Sequence, residues 1–401
     1  PSVALGWKII DESFMEGARG WMNELKLRAG YGITGQQDLN DDYFPYMPIY
    51  TVGNNGNAGT NQWAYPNPNG TGWVNPIKPN GYNSDIKWEE TRTWNVGIDY
   101  GFLNNRIAGS IDFYKRTTKD LLTWATLPAG SNLTNALNTN IGDMENIGVE
   151  FNITARPVVT DDFTWTTDFN VAWNKNKITK LTYGDNPDYF MMAGEGISAG
   201  TGGQIMAHTV GKPAYSFYVY QQVYDVNGNP IEGQFVDRNG DGQITAADRY
   251  FHHSKDPKVT MTWNNSFNYK NWDFSFALRA NLGNYVYANT EAANVSISST
   301  ASTPLSNLMA DRFLFNDLGV NGVMSDYFIR NASFVRCDNI TLGYTWPSLI
   351  KNQLRLRIYG AVQNPFVITK YNGLDPEIFS GVDKDLYPRP VTVSFGVVAS
   401  F

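Results

Sequence analysis

The residues with the clearest chemical content are oxygen ligands at calcium spacing. In Asp237-Arg-Asn239-Gly-Asp241-Gly242-Gln243-Ile-Thr-Ala-Ala-Asp248, carboxylate or amide oxygens recur at the first, third and fifth places of a twelve-residue loop. Gly242 holds the sixth place, where such loops turn sharply, and Gln243 offers its backbone carbonyl at the seventh. The twelfth place is Asp248 rather than Glu, one methylene short of bidentate reach, and no helical periodicity flanks the loop. Two readings stand: a Ca2+ loop that stiffens a surface excursion, or a metal-free Asn/Asp/Gly turn. Neither is catalytic.

Other motifs carry less. Gly196-Ile-Ser198-Ala-Gly200 spells a nucleophile elbow, but that chemistry needs a strand before the serine and a helix after it. Here Gly194, Gly202 and Gly203 surround it instead. The three histidines are His208, His252 and His253. The last two are adjacent, so on a strand they point to opposite faces and do not share a metal. Tyr43, Phe44, Tyr46, Trp63, Tyr65 and Trp73 fall in one long loop, 34–86. Exposed there, they stack on sugar rings or form a protein interface; turned inward, they only pack the loop.

The elements that must position these residues are strands. Val391, Val393, Phe395, Val397, Ala399 and Phe401 alternate with mostly small or polar residues, and Trp272, Phe274, Phe276, Leu278 and Ala280 do the same. This period-two pattern repeats along the whole chain and predicts strands near 3–10, 23–33, 87–101, 106–124, 143–156, 162–175, 214–225, 258–269, 272–287, 331–346, 353–364 and 390–401. Many are longer than the five or six residues of ordinary globular strands and suit tilted strands that cross a bilayer. The joints come in two lengths. Short turns lie at Phe102–Asn105, Pro157–Asp161, Lys270–Asn271 and Pro347–Asn352, and long Gly/Asn/Pro-rich loops at 34–86, 125–142, 226–257, 288–330 and 365–389. Such sorting, with aromatic residues at strand ends (Trp88, Trp94, Trp263, Trp272, Tyr344, Trp346), marks an antiparallel transmembrane β-barrel.

Composition bounds the rest. The chain has 401 residues, with Lys+Arg 31 against Asp+Glu 38 and a net charge of −7, so no basic excess exists to neutralise nucleic-acid phosphates. Charged residues are only 17%, aromatics 14%, and mean hydropathy is −0.36. No run of apolar residues is long enough for a membrane helix, which leaves a strand-built barrel open. A single cysteine, Cys337, excludes a disulfide scaffold. In a barrel, alternation turns Lys26, Arg28, Asp99, Asp112, Glu150, Asp168, Arg279, Arg355 and Arg357 toward the lumen. There they hydrate the wall, dock a plug or guide a substrate.

Several segments resemble one family. Asn331-Ala-Ser-Phe-Val-Arg-Cys-Asp-Asn-Ile-Thr-Leu-Gly-Tyr344, Tyr359-Gly-Ala-Val-Gln-Asn-Pro-Phe366 and Lys370-Tyr-Asn-Gly-Leu-Asp-Pro-Glu377 are similar to strand and loop motifs of SusC/RagA-type TonB-dependent transporters of Bacteroidota. Pro1–Trp7, Leu25–Gly32, Asn146–Phe151 and Phe235–Gly242 fit the same pattern, while Pro365 and Cys337 depart from it. The resemblance implies an outer-membrane importer of oligosaccharides, glycans or peptides. It implies TonB as power source and a SusD-like surface lipoprotein as lid, with no chemistry done on the cargo. It covers the C-terminal barrel and lacks the plug and TonB-contacting segment, so the chain is expected to be a piece of a longer polypeptide. The closing strand resembles the outer-membrane assembly signal, with Phe401 as its terminal aromatic. A passive porin or adhesin barrel, and a soluble glycan-binding β-protein, are the rival readings.

Strand parity adds an expectation. Antiparallel alternation, counted back from a last strand that descends to the periplasm, leaves two rising strands adjacent unless 176–212 hides another. Gln204–Val210 is the candidate. The expected wall is then thirteen strands out of about 22.

Overall fold

The computed structural model describes residues 1–36, 44–52, 65–66, 68–70, 73–74, 77–126, 130, 132–134, 136–181, 189–198, 202–298, 307–309, 311–349, 354–384 and 386–400. Alternation becomes one antiparallel sheet of eleven strands. They are β1 (Ser2–Lys8), β2 (Met22–Gln36), β3 (Glu89–Phe102), β4 (Ile107–Thr126), β5 (Ala136–Val159), β6 (Phe163–Leu181), β7 (Val259–Tyr269), β8 (Trp272–Leu282), β9 (Phe334–Leu349), β10 (Leu354–Thr369) and β11 (Thr392–Ser400). Each pairs with its neighbour in chain order, and β1 and β11 are the two edges.

Register sorts the two faces. Leu5, Ala29, Val96, Phe113, Val149, Trp173, Val259 and Leu282 stand opposite one another in turn across β1 to β8. On the other parity run Lys8, Lys26, Asp99, Ser110, Asn152, Asn170, Thr262, Arg279 and Arg336. One face is therefore a continuous apolar belt and the other a polar wall. Leu5 at 72% and Phe395 at 85% exposure would be anomalies in a water-soluble sheet. They are what lipid-facing residues of a barrel look like, with a polar lumen behind them. The luminal residues expected from alternation lie on the polar parity.

The tight joints share one end. Leu103, Asn104 and Asn105 all adopt left-handed backbone between β3 and β4. Asn23 steadies them: its Oδ1 accepts from the Asn104 amide at 2.5 Å and the Asn105 amide at 3.3 Å. Lys270, at φ 50°, makes the two-residue turn between β7 and β8. Asparagine tolerates this conformation better than most residues, which accounts for its placement here.

The count of thirteen wall strands is corrected to eleven. β6 pairs directly with β7, from Phe163 opposite Tyr269 to Trp173 opposite Val259. The chain between them leaves the wall. Gln204–Thr209 is a strand, as expected, but it joins Phe190–Gly196, Ser216–Val219 and Tyr250–Ser254 in a separate four-stranded sheet. The reason is burial. Ile205, Met206, Ala207, Phe217 and Val219 are all 0% exposed, so these strands bury apolar groups in protein rather than showing one face to lipid. Losing two strands leaves parity intact, and every wall strand keeps its direction. The expected strand 272–287 also divides: Gly283, at φ 81°, turns the chain, and Tyr285–Tyr287 pairs instead with Ile329–Asn331.

The main hydrophobic core therefore lies outside the wall. Ile197, Ile205, Met206, Phe217, Val219 and Phe235 pack with Tyr287, Val295, Phe315, Leu318, Phe328 and Val382. These come from the β6–β7, β8–β9 and β10–β11 connections, which build one cap at the long-loop end. No described helix is long and apolar enough to cross a membrane.

Candidate functional site: luminal wall and external cap

Ion pairs tie luminal strands together in threes. Arg28 on β2 reaches Asp99 at 2.7 Å on β3 and Asp112 at 3.0 Å on β4. Gly97 stands between Arg28 and Asp112 in register and leaves room for that bridge. Asn152 donates to Asn170, which donates to Thr262 at 3.2 Å, forming an amide row across β5, β6 and β7. Thr154 donates to Asp168 at 2.6 Å. Arg357 binds Asp273 at 2.5 Å. Arg28, Asp99, Asp112, Asp273 and Arg357 are thus matched locally, beside a row of amides and hydroxyls.

At the cap end of the lumen, the β10–β11 connection folds back onto this wall. Arg336 of β9 pairs with Asp375 at 2.6 Å, and both are buried. Arg389 reaches Asp375 at 3.2 Å and Glu377 at 2.7 Å. Arg279 of β8 grips Glu377 and, at 2.8 Å, Asp338. Asp338 is unpaired in both neighbouring ladders, a β-bulge between Cys337 and Asn339. An extra residue re-aims side chains locally, and here it brings Asp338 to Arg279. Because Arg279 and Arg336 lie on the luminal parity, the Asp375-Pro-Glu377 segment rests on the inner face of the mouth. Sequence reasoning quoted this segment only as a family motif. Its signal was two carboxylates flanking a proline, Asp375-Pro-Glu377, in a chain poor in charge.

The Asp237–Asp248 loop lies in the cap. Asp237 accepts from the Gly240 amide at 2.7 Å and the Gly242 amide at 2.8 Å. Asn239 Oδ1 accepts from the Asp241 amide at 3.0 Å, and Asp241 accepts from the Gln243 amide at 2.8 Å. Asp248 is fully buried, and its two oxygens accept from the amides of Arg238 at 2.9 Å, Asn239 at 3.3 Å and Thr245 at 2.8 Å. Those amide bonds, the Thr245 amide foremost, hold its carboxyl below the usual range. Asp248 thus closes the loop on backbone rather than presenting a bidentate pair. Among the described residues, no group of three His, Cys, Asp or Glu side chains is placed to hold a metal. Asp237, Asn239 and Asp241 remain as oxygen donors on the loop's exposed side.

The aromatic loop residues divide. Phe44 and Tyr46 are exposed, with ring centroids 6.4 Å apart. Phe44 borders a cleft of about 410 Å³ with Ile49, Gly81, Trp124 and Leu137. Tyr65 and Trp73 fall on a two-residue ladder, where Tyr65 opposes Val74 and Pro66 opposes Trp73. Tyr43, Trp63 and Phe401 lie outside the described residues.

The histidines are structural joints. Tyr250 donates its hydroxyl hydrogen to Asp326 at 2.7 Å, so the Tyr250 hydroxyl oxygen is left to accept from His252 Nδ1, 2.9 Å away. His253 stacks on Tyr285 at 3.6 Å, and His208 Nδ1 accepts from the Tyr215 amide at 3.3 Å. The rings of His252 and His253 lie only 4.1 Å apart, contrary to the expectation that adjacency separates them. Burial pushes the pKa of His208 and His252 down, and that of His253 down to about 4.

The family described as TonB dependent receptor-like, β-barrel, matches residues 1–202. The TonB-dependent receptor SusC of Bacteroides thetaiotaomicron is 49% identical, over 100% of this chain and 40% of that protein. A TonB-dependent receptor of Formosa agariphila is 29% identical, over 100% of this chain and 42% of its own length. The chain spans about two fifths of the length of the curated relatives it matches. Among solved structures, the RagAB peptide importer in its open-open state aligns with a TM-score of 0.77 and 23% identity, over 100% of this chain and 42% of that one. That is a likeness of fold.

Proposed function

The chain belongs to the TonB-dependent receptor family, within its outer-membrane β-barrel, and from that premise we propose that the whole protein is an active importer of nutrients. The cargo is an oligosaccharide, glycan or peptide, and the barrel passes it without chemical change. The likeness to SusC supports TonB as the source of energy and a SusD-like lipoprotein seated at the cap end. The remaining wall strands and a plug belong to this proposal.

The observation that carries it is the two-sided sheet. A lipid-facing belt runs without a break from Leu5 to Leu282, backed by the polar row from Lys8 to Arg336. A soluble glycan-binding sheet has no use for the first, and a polar lumen needs the second to pass hydrophilic cargo.

Deletion of the gene and growth on a panel of glycans and peptides tests the reading. Growth fails on one class of nutrient and returns with the intact gene. In cells lacking TonB function the intact gene does not restore it. Uptake that persists without TonB makes the protein a passive pore. Co-purification from detergent extracts tests the lipoprotein: an importer of this type brings a surface lipoprotein in equal amount.

A further inference from the structure

A cavity of about 350 Å³ in the cap lies between the helix Asn289–Ala293, the strand Ile329–Asn331 and the start of the β10–β11 connection. Glu291, 7% exposed, forms its wall. Arg330 Nη2 binds it at 2.7 Å, and Arg312 Nε approaches at 3.9 Å. Arg312 also donates to the Asn372 carbonyl at 3.1 Å and pairs with Asp311, whose side chain is mostly in solvent. The second buried acid, Asp383, accepts from the Tyr371 hydroxyl at 2.6 Å and from Thr290 at 3.3 Å. Both acids of the cavity therefore have their partners within the protein.

The third cation does not. Lys370 lines the cavity from an exposed position and has no hydrogen bond or ion pair among the described residues. Leu374, also in the lining, is exposed and supplies an apolar surface beside it. The frame is rigid: Tyr371 and Ile378 pack with Val286 and Ala332 in a small core of their own. A cavity of a few hundred Å³, part apolar, with one charge at its rim that no protein group pairs among the described residues, has the form of a small-ligand site.

We propose that this cavity binds a carboxylate. Lys370 takes the anionic group, the Asn372 side chain takes a neighbouring hydroxyl or amide, and Leu374 covers the apolar face of the ligand. The carboxylate comes from a uronic sugar or from a peptide C-terminus, and both present the same group to Lys370. The test of this site does not depend on import.

Calorimetric titration of the full-length protein in detergent with glucuronate, glucose, N-acetylalanine and N-acetylalanine amide decides the matter. At least one acid binds, and its neutral counterpart is at least about tenfold weaker, the ratio expected for one charge-assisted contact. The stronger acid identifies the source. Lys370→Ala weakens that acid about tenfold and Lys370→Arg retains it. Heat-induced mobility in gels confirms that both variants stay folded, as an exposed, unpaired position allows. No heat from either acid at about 10 mM, equal binding of charged and neutral probes, or affinity unchanged by Lys370→Ala would overturn the assignment.

Discussion

Gly97 has no room for a side chain. A Cβ there would lie 2.3 Å from Asp112 Oδ1 and 2.8 Å from Arg28 Nη2. Gly97→Val therefore forces the three-strand bridge apart, at a cost of about 1–3 kcal/mol as for other overpacked sites. A lower temperature for the heat-induced gel shift of the purified barrel measures it. Asp248 makes the opposite case, a side chain that satisfies backbone. Asp248→Ala leaves the amides of Arg238, Asn239 and Thr245 without acceptors, and limited proteolysis should cut the variant within 237–248 while sparing the wild type. The Ca2+ reading has its own readout. Calorimetric Ca2+ binding that disappears in Asp237→Ala or Asp241→Ala supports it, and no heat at millimolar Ca2+ rejects it. The sequence showed which residues carry oxygen at calcium spacing. It did not show that Asp248 is consumed by the loop itself, because that depends on where three backbone amides of the folded loop point.

Strands test their two faces separately. Val96 and Ser110 sit on neighbouring wall strands, one on the lipid parity and one on the luminal parity. Val96→Arg costs about 2–4 kcal/mol near mid-membrane and lowers the yield of assembled barrel, whereas Ser110→Arg assembles normally. Equal effects would mean that the faces are misassigned. Wall strands were legible because period two and a lipid-facing belt leave a continuous trace in the chain. The strands around Phe217 and Met206 misled, because parity and turn residues ask for a strand without saying whether it meets lipid or another sheet; the run of consecutive buried residues Ile205, Met206 and Ala207 was the signal that it faces protein on both sides. The Asp338 bulge was invisible for a related reason: one extra residue changes pairing without changing composition.

At the scale of the whole molecule, acid should act on the cap first. His208, His252 and His253 all have lowered pKa values in the folded state, so below about pH 6.5 the unfolded chain binds protons that the folded cap refuses. Cap stability therefore falls as pH drops from about 6.5 toward 4, the folded value of His253. Hydrogen exchange of 204–254 should quicken over that window while β3 to β5 stay protected; uniform protection would refute the assignment. The direct pairing of β6 with β7 has a different consequence. The excursion between them is suspended from a hairpin whose register is already complete, from Phe163–Tyr269 to Trp173–Val259. Evolution can exchange, lengthen or retune that outer module without renegotiating the membrane scaffold. Chimeras that graft a relative's 182–258 equivalent, together with the loops sharing its core, should insert normally and inherit the donor's surface character.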